Sequence, residues 1–469
     1  MGDQPNLFRE GPTRFASQLL STLPPDFVVR HQLATKSPQH ILLTTAVITT
    51  FILWLAQYFW AKLFSNDRVE LHYGPRSVGI RRGRRPSTSD GAQIPGESRV
   101  ERISLLNLVR TSCPTLYSSQ NRTNVFKPIW FLFNGHLQTC YASLYADYAG
   151  NKVAYTRELI YFADGGNVAL DSHDATLTEQ QKSDPETPIV VVLHGLTGGS
   201  HESYVQDVVH EVGGRGYRSV VCNFRGCADT ELTSAQLYCG AYTDDARLAV
   251  EHIRRKYPRA PLFAVGFSLG ANVLTKLVGE LGDKCPFLGA VSVSNPFDLL
   301  GSSRALHRTW LGRNLYSKAL TQNLIRVFKK HSSKLSGTDI FDAGKLLKAR
   351  YLYEFDNLLT RVMFKYRTVH EYYRKASSAQ YIPDIRVPFL VLTALDDPIS
   401  PPEVLPYFEV YENPHCIMAT TKRGGHIGWF EGWFRTSRWH QRPIGEFIGA
   451  IVEVGCEFCT RGVCGLNGL

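Results

Sequence analysis

Gly266-Phe267-Ser268-Leu269-Gly270 sets a serine between two glycines. The apolar, strand-like stretch 261–265 precedes it, and 271–278, with the composition of a helix packed on a sheet, follows. That order reads as a nucleophile elbow, a tight strand-to-helix turn whose strained backbone demands small neighbours. A G-x-S-x-G pentapeptide arises by chance in about one chain in five of this length, so the setting carries the reading. A serine hydroxyl is a poor nucleophile near neutral pH. It needs a histidine to take its proton and a carboxylate to orient that histidine.

Both follow in the chain order Ser, acid, His. Residues 389–395 form a buried-strand pattern ending in Asp396-Asp397-Pro398. A carboxylate at the carboxyl end of a parallel strand is where sheet enzymes place their chemistry. Asp397 is the expected acid and Asp396 the alternative; the competing role for either is a turn residue before Pro398. Of the three later histidines, His426 lies in a Gly-rich loop, Lys422–Gly428, just past the strand-like 416–421. His415 precedes that strand and falls at the wrong end of the sheet. His440 sits in a Trp/Arg-rich segment and is expected to be structural. The loop after the apolar strand 189–193 reads His194-Gly195-Leu196-Thr197-Gly198-Gly199-Ser200. Its Leu196 N–H, with Leu269 N–H from the elbow, is expected to form the oxyanion hole. As a phosphate cradle the loop lacks the usual lysine, and His194 is expected to shape the loop rather than act as a base. This chemistry needs no metal and no cofactor.

The elements that must position these groups are legible as an alternation. A hairpin is predicted over 157–171 around Asp164-Gly165-Gly166. Strands at 189–193, 219–224, 261–265, 288–293 and 389–395 alternate with helices at 205–212 and 244–256. Such alternation predicts an α/β class chain: an α/β-hydrolase fold with a doubly wound, mostly parallel sheet. Residues 298–385 interrupt it with a basic, helix-like insertion, a predicted cap. Leu306, Trp310, Tyr316, Leu320, Leu324 and Val327 recur there at helical spacing, with Arg308, Arg313, Lys318, Arg326, Lys329 and Lys330 between them. The cap reads either as a solvated face over a buried stripe or as a lid resting on lipid.

The chain has 469 residues, 43% hydrophobic and 20% charged, which excludes global disorder. Its net charge of +10 is concentrated before residue 100 and in 301–350. No nucleic-acid motif accompanies that charge, so an anionic membrane surface is the better-matched partner. Ten cysteines show no disulfide framework, and Cys456-x-x-Cys459 with Cys464 lacks a second ligand pair for zinc. Ile41–Ala61 is uncharged and apolar, long enough to span a bilayer once, with Trp54, Tyr58, Phe59 and Trp60 at one end. The expected organisation is a tail (1–37), a transmembrane helix (38–63), a linker (64–125), the hydrolase domain (126–455) and a tail (456–469). Arginines after the span place the catalytic side in the cytosol, whereas the sequon Asn121-Arg122-Thr123 implies the opposite side.

Several blocks carry a resemblance. Trp130-Phe-Leu-Phe-Asn134-Gly135-His136-Leu137-Gln138-Thr139, His194 to Ser203, Asn223-Phe-Arg225-Gly226-Cys227, the elbow and Gly424 to Gly428 are similar to the membrane-anchored α/β-hydrolase-domain lipases. That family includes animal phospholipases and acylglycerol lipases, and yeast enzymes that make medium-chain ethyl esters. The resemblance covers roughly residues 100–450. It implies a triad of Ser268, Asp397 and His426, a membrane glycerolipid as substrate, and hydrolysis of its acyl esters with some acyl transfer to alcohols. The residues alone assign no role to the Asn134–Thr139 block beyond packing against the body.

Overall fold

A computed structural model describes residues 67–454, apart from 77, 82–101, 120–122, 145–151, 336–339 and 434–435, and before them only 49 and 55. The expected span Ile41–Ala61 and Cys456, Cys459 and Cys464 therefore lie outside the described residues, save 49 and 55 within the span. Among the described residues no helix is long and apolar enough to cross a membrane.

Nine strands form the central sheet: β1 Glu70–His72, β2 Thr156–Tyr161, β3 Asn167–His173, β4 Ile189–Leu193, β5 Arg218–Asn223, β6 Leu262–Phe267, β7 Phe287–Val293, β8 Phe389–Ala394 and β9 Cys416–Thr421. Their spatial order is β1-β9-β8-β7-β6-β4-β5-β3-β2. The six from β5 to β9 are parallel, and antiparallel pairs close both edges. The helices used below are α1 Leu105–Ser112, α2 Gly135–Leu144, α3 Ser203–Gly214, α4 Asp244–Lys256, α5 Leu269–Leu281, α6 Leu299–Arg308, α7 Lys318–Lys330, α8 Val369–Ala376 and α9 Gln441–Val454.

Period-two alternation makes two cores from one sheet. Val190 and Val192 of β4 join one cluster with Val205 and Val209 of α3, Leu108 of α1 and Phe447 of α9. Val191 and Leu193 join the other with Ala249 of α4 and Leu274 of α5. Every residue of β4, β5 and β6 is buried, as parallel strands covered on both faces require.

Along the sheet, the chain steps from β4 outward to β5 and returns to β6 on the other side of β4. The carboxyl ends of β4 and β6 pair in register, Leu193 against Gly266. This is the switch point at which open α/β sheets leave a crevice. Register carries the alignment onward: Phe267 pairs with Val293, Val293 with Leu392, and Ala394 with Thr421. The loops after β4, β6, β8 and β9 thus leave the sheet along one edge.

Two expectations need correction. The stretch 64–125 is not simply a linker. Glu70–His72 pairs antiparallel with β9, α1 buries Leu105, Leu108 and Val109, and Asp67 pairs with Arg423 beside the His426 loop. Three-residue strands and a polar flank gave no periodicity to read. The cap is not one amphipathic helix either. α6 and α7 are separated by a π-helical turn, Gly312–Ser317. Leu306, Tyr316 and Leu324 are buried, but Trp310 is 70% exposed.

Arg225, in the loop after β5, shows how a resembling block serves the fold. Its guanidinium is buried, bonds both carboxylate oxygens of Asp245 on α4, and reaches Asp164 in the β2–β3 turn. Arg225→Met leaves Asp245 buried without its partner. A loss of about 3–5 kcal/mol is expected, read as a lowered urea midpoint with an unchanged m-value.

Candidate active site

Ser268 caps the amino end of α5 with φ 50° and ψ −117°, a strained geometry for a residue with a side chain. Close packing forces the glycines around it. A Cβ on Gly270 would lie 2.4 Å from the carbonyl oxygens of Leu193 and His194, and one on Gly266 would lie 2.6 Å from the carbonyl of Gly270. The elbow is therefore pressed against the end of β4, which brings the following loop over Ser268.

His426 Nε2 lies 2.8 Å from Ser268 Oγ, and His426 Nδ1 lies 2.8 Å from Asp397 Oδ2. Asp397 is sealed from solvent, and its other oxygen accepts from the N–H groups of Ile399 and Ser400 at 2.8 and 2.9 Å. A carboxylate against Nδ1 favours the tautomer in which Nδ1 donates, leaving Nε2 to accept from Ser268. Asp396 points elsewhere: its Oδ1 accepts from Gly425 N–H at 2.8 Å. Burial pushes its carboxyl up to about 6, and the neighbouring Asp397 adds to the rise.

The His194–Ser200 loop is pinned from below. Ser200 N–H donates to Asn223 Oδ1, and Ser200 Oγ donates to Asp171, which also holds Asn223 and Arg157. Gly195 N–H donates to Tyr204 Oη and Thr197 N–H to Tyr238 Oη. Leu196 lies between them, and its N–H donates to no acceptor among the described residues. Leu196, Leu269, Ser268 and His426 all line one pocket. His194 is fully buried, with Nδ1 against Gly195 O and Nε2 accepting from Phe224 N–H. Burial lowers its pKa to about 4, so the ring stays neutral and shapes the loop. His415 precedes β9 at the amino end of the sheet, away from Ser268. His440 is wholly buried between Phe267 and Trp429, and burial holds its pKa far below the usual value.

Residue-by-residue reading missed the support for His426. Thr139 Oγ1, on α2, accepts from His426 N–H at 2.8 Å and donates to Gly135 O at 2.6 Å. Gln138 bonds the Phe430 N–H and carbonyl, holding the far side of the same loop. Gly135 lies against Asp396, where a Cβ would sit 1.9 Å from its carbonyl oxygen. The Asn134–Thr139 block is therefore the clamp that holds the histidine loop. Its recurrence in the resemblance was the available signal.

A family model described as alpha/beta hydrolase fold matches residues 188–432, just over half of the chain. The monoacylglycerol lipase of Saccharomyces cerevisiae is 35% identical over 390 residues, covering 75% of this chain and 85% of that one. The chain belongs to the α/β-hydrolase-domain lipase family. Phospholipase ABHD3 of Mus musculus is 36% identical over 65% of this chain and 74% of its own. The medium-chain fatty acid ethyl ester synthase/esterase 2 of Saccharomyces cerevisiae is 31% identical over 70% and 86%.

In this member of the family, the pocket over Ser268 encloses about 790 Å³ including its mouth. Leu269 of the body, with Leu299, Leu306, Leu320, Leu324 and Leu352 of the cap, gives it apolar walls. Among the described residues no lysine or arginine lines it. Its wall carboxylate among them is Asp356, in a second π-helical turn, Asp356–Thr360, whose oxygens accept from Thr360 Oγ1 and Tyr373 Oη at 2.7 and 2.8 Å. Without a cation, burial pushes Asp356 up to about 6.

Two predictions follow from this geometry. Thr139→Val keeps shape but removes the acceptor for His426 N–H. It is expected to lower kcat roughly ten- to hundredfold through misplacement of the ring, with KM little changed and stability lower by about 1–3 kcal/mol for the orphaned N–H. Asp356 has a raised folded pKa, so its burial is without penalty below the unfolded value of 3.8 and costs stability as pH rises through about 6. Asp356→Asn should therefore gain stability relative to wild type between pH 4 and 7, by up to about 3 kcal/mol. Parallel denaturation of both proteins across that range measures it.

Proposed function

We propose that this chain is a membrane-anchored serine hydrolase that cleaves acyl esters of glycerolipids through an acyl-enzyme. The observation that carries the reading is His426, bonded at 2.8 Å to both Ser268 and Asp397 and opening into an apolar pocket. The ester-hydrolase class itself follows from the family.

Chemically, Ser268 Oγ attacks the ester carbonyl carbon while His426 Nε2 takes its proton. The carbonyl oxygen becomes an oxyanion, stabilised by the N–H groups of Leu196 and Leu269. Asp397 stabilises the imidazolium and keeps its tautomer. As the tetrahedral intermediate collapses, the C–O bond to the leaving alcohol breaks and His426 returns the proton to it. Water then enters, gives a proton to His426 and attacks the acyl carbon; the C–O bond to Ser268 breaks as His426 returns that proton to Oγ, releasing the fatty acid and restoring the serine. An alcohol in place of water makes a new ester by the same steps, the reaction named for the ethyl ester synthase/esterase relative.

Largely apolar walls, with no lysine or arginine among the described residues, suit an acyl chain and offer a phosphate no cationic partner, so a charged headgroup is better placed at the mouth. The lipase and phospholipase relatives support a glycerolipid substrate. Ile41–Ala61, apolar over a bilayer's thickness, supports a single-pass anchor.

A fluorophosphonate probe should label the wild type and leave Ser268→Ala unlabelled, with kcat on lipid esters down by at least about 10⁴-fold. Lipidomic comparison of the two on mixed membrane lipids identifies the ester consumed. Equal labelling of both proteins would remove the serine-hydrolase reading in favour of a non-catalytic lipid binder.

A further inference from the structure

We propose that the cap turn 309–317 is a membrane-docking surface that seats on an anionic bilayer face and opens the pocket to lipid; this rests on the glycerolipid reading above. Trp310 is 70% exposed, and Leu311 and Leu315 are exposed beside it. Three large apolar side chains within six residues form a cluster, where scattered single ones are ordinary. The π-helical turn puts them together. Leu311 and Leu315 are four apart and Trp310 and Leu315 five apart, spacings that share a face when the helix is widened to i→i+5 bonding.

The turn is held rigidly. Tyr316 is buried, stacks on His136 of α2 with ring centroids 5.7 Å apart, and bonds its Nδ1 at 2.8 Å. Gly312 is pressed so close to Leu306 that a Cβ would lie 2.3 Å from its carbonyl oxygen. Apolar residues face outward here because of a fixed geometry.

Charge selects the occupant. Residues 299–335 hold eight lysines and arginines and no acid. Arg304 and Arg313 are exposed and have no carboxylate partner among the described residues, while Arg308 pairs with Glu403. Exposed tryptophan and leucine on a basic stretch of the cap match a bilayer surface carrying anionic lipid. The basic end of α7 matches it less well, because Lys330 is engaged by Asp229. Continuity supplies the function: Leu306 before the turn and Leu320 after it both line the pocket that holds Ser268. A lipid whose ester lifts from the bilayer at this turn reaches the pocket along its own wall.

The test uses the full chain with vesicles of phosphatidylcholine, with and without phosphatidylserine, containing a glycerolipid substrate. A water-soluble short-chain ester is the parallel substrate. Trp310→Ser/Leu311→Ser/Leu315→Ser should hydrolyse vesicle lipid at least tenfold more slowly and the soluble ester within twofold of wild type. Arg304→Glu/Arg313→Glu should lose activity on the anionic vesicles only. Brominated acyl chains should quench wild-type fluorescence more than that of Trp310→Phe. Wild-type rates on vesicle lipid in the triple variant overturn the proposal. So does a wild-type oligomer in vesicle-free solution that the triple variant abolishes, which assigns the face to a second copy. If the wild type cleaves no glycerolipid yet Trp310 is quenched by vesicles, the substrate reading fails and the docking surface stands.

Discussion

The position of one imidazole governs this structure. His426 must face Ser268 and Asp397 at once, and each of the three leaves a different strand end. No local interaction can hold such an arrangement, because the loops are tens to hundreds of residues apart. It depends on β4, β6, β7, β8 and β9 keeping a common register. A one-residue slip between any neighbours would turn the strand's faces over and move a loop out of line. The buried β-branched and aromatic strands, covered by helices on both faces, specify that register.

A second constraint is polar. The loops of the site carry backbone groups that cannot all face water, and nearly every one near Ser268 is occupied. Asp397 absorbs two N–H groups, Asp396 a third, Thr139 the N–H of His426, and Tyr204 and Tyr238 those flanking Leu196. The Leu196 N–H between them has no acceptor among the described residues, and Leu196 lines the pocket. The frame thus satisfies most of the polar groups that hold its loops in place.

The cap follows a different logic. Its helices are broken twice by π-helical turns, one carrying Asp356 in the pocket wall and the other lying beneath Trp310 and Leu315. Ser317 Oγ accepts the Leu352 N–H at 3.1 Å, joining the two regions. Helical spacing in the sequence anticipated buried faces at Leu306 and Leu324, and missed the outward turn at Trp310. The reason is that a widened turn shifts the phase of the pattern and α-helical counting does not follow it.

By itself the sequence determined the sheet, because fully apolar strands with period-two burial have few other uses. It also determined the order elbow, acid, histidine, since each lies just past such a strand. It favoured Asp397 over its neighbour Asp396 as the acid without a physical distinction between adjacent residues at a strand end; the fold supplies one, turning Asp397 to His426 and Asp396 to Gly425. The role of Asn134–Thr139 and the place of Glu70–His72 in the sheet came only from tertiary structure. Thr139 meets His426 across 287 positions of chain, and Glu70 meets Thr420 across a comparable gap. Periodicity reports how a segment divides its own faces between core and water. It carries no record of which distant backbone group a buried hydroxyl will accept.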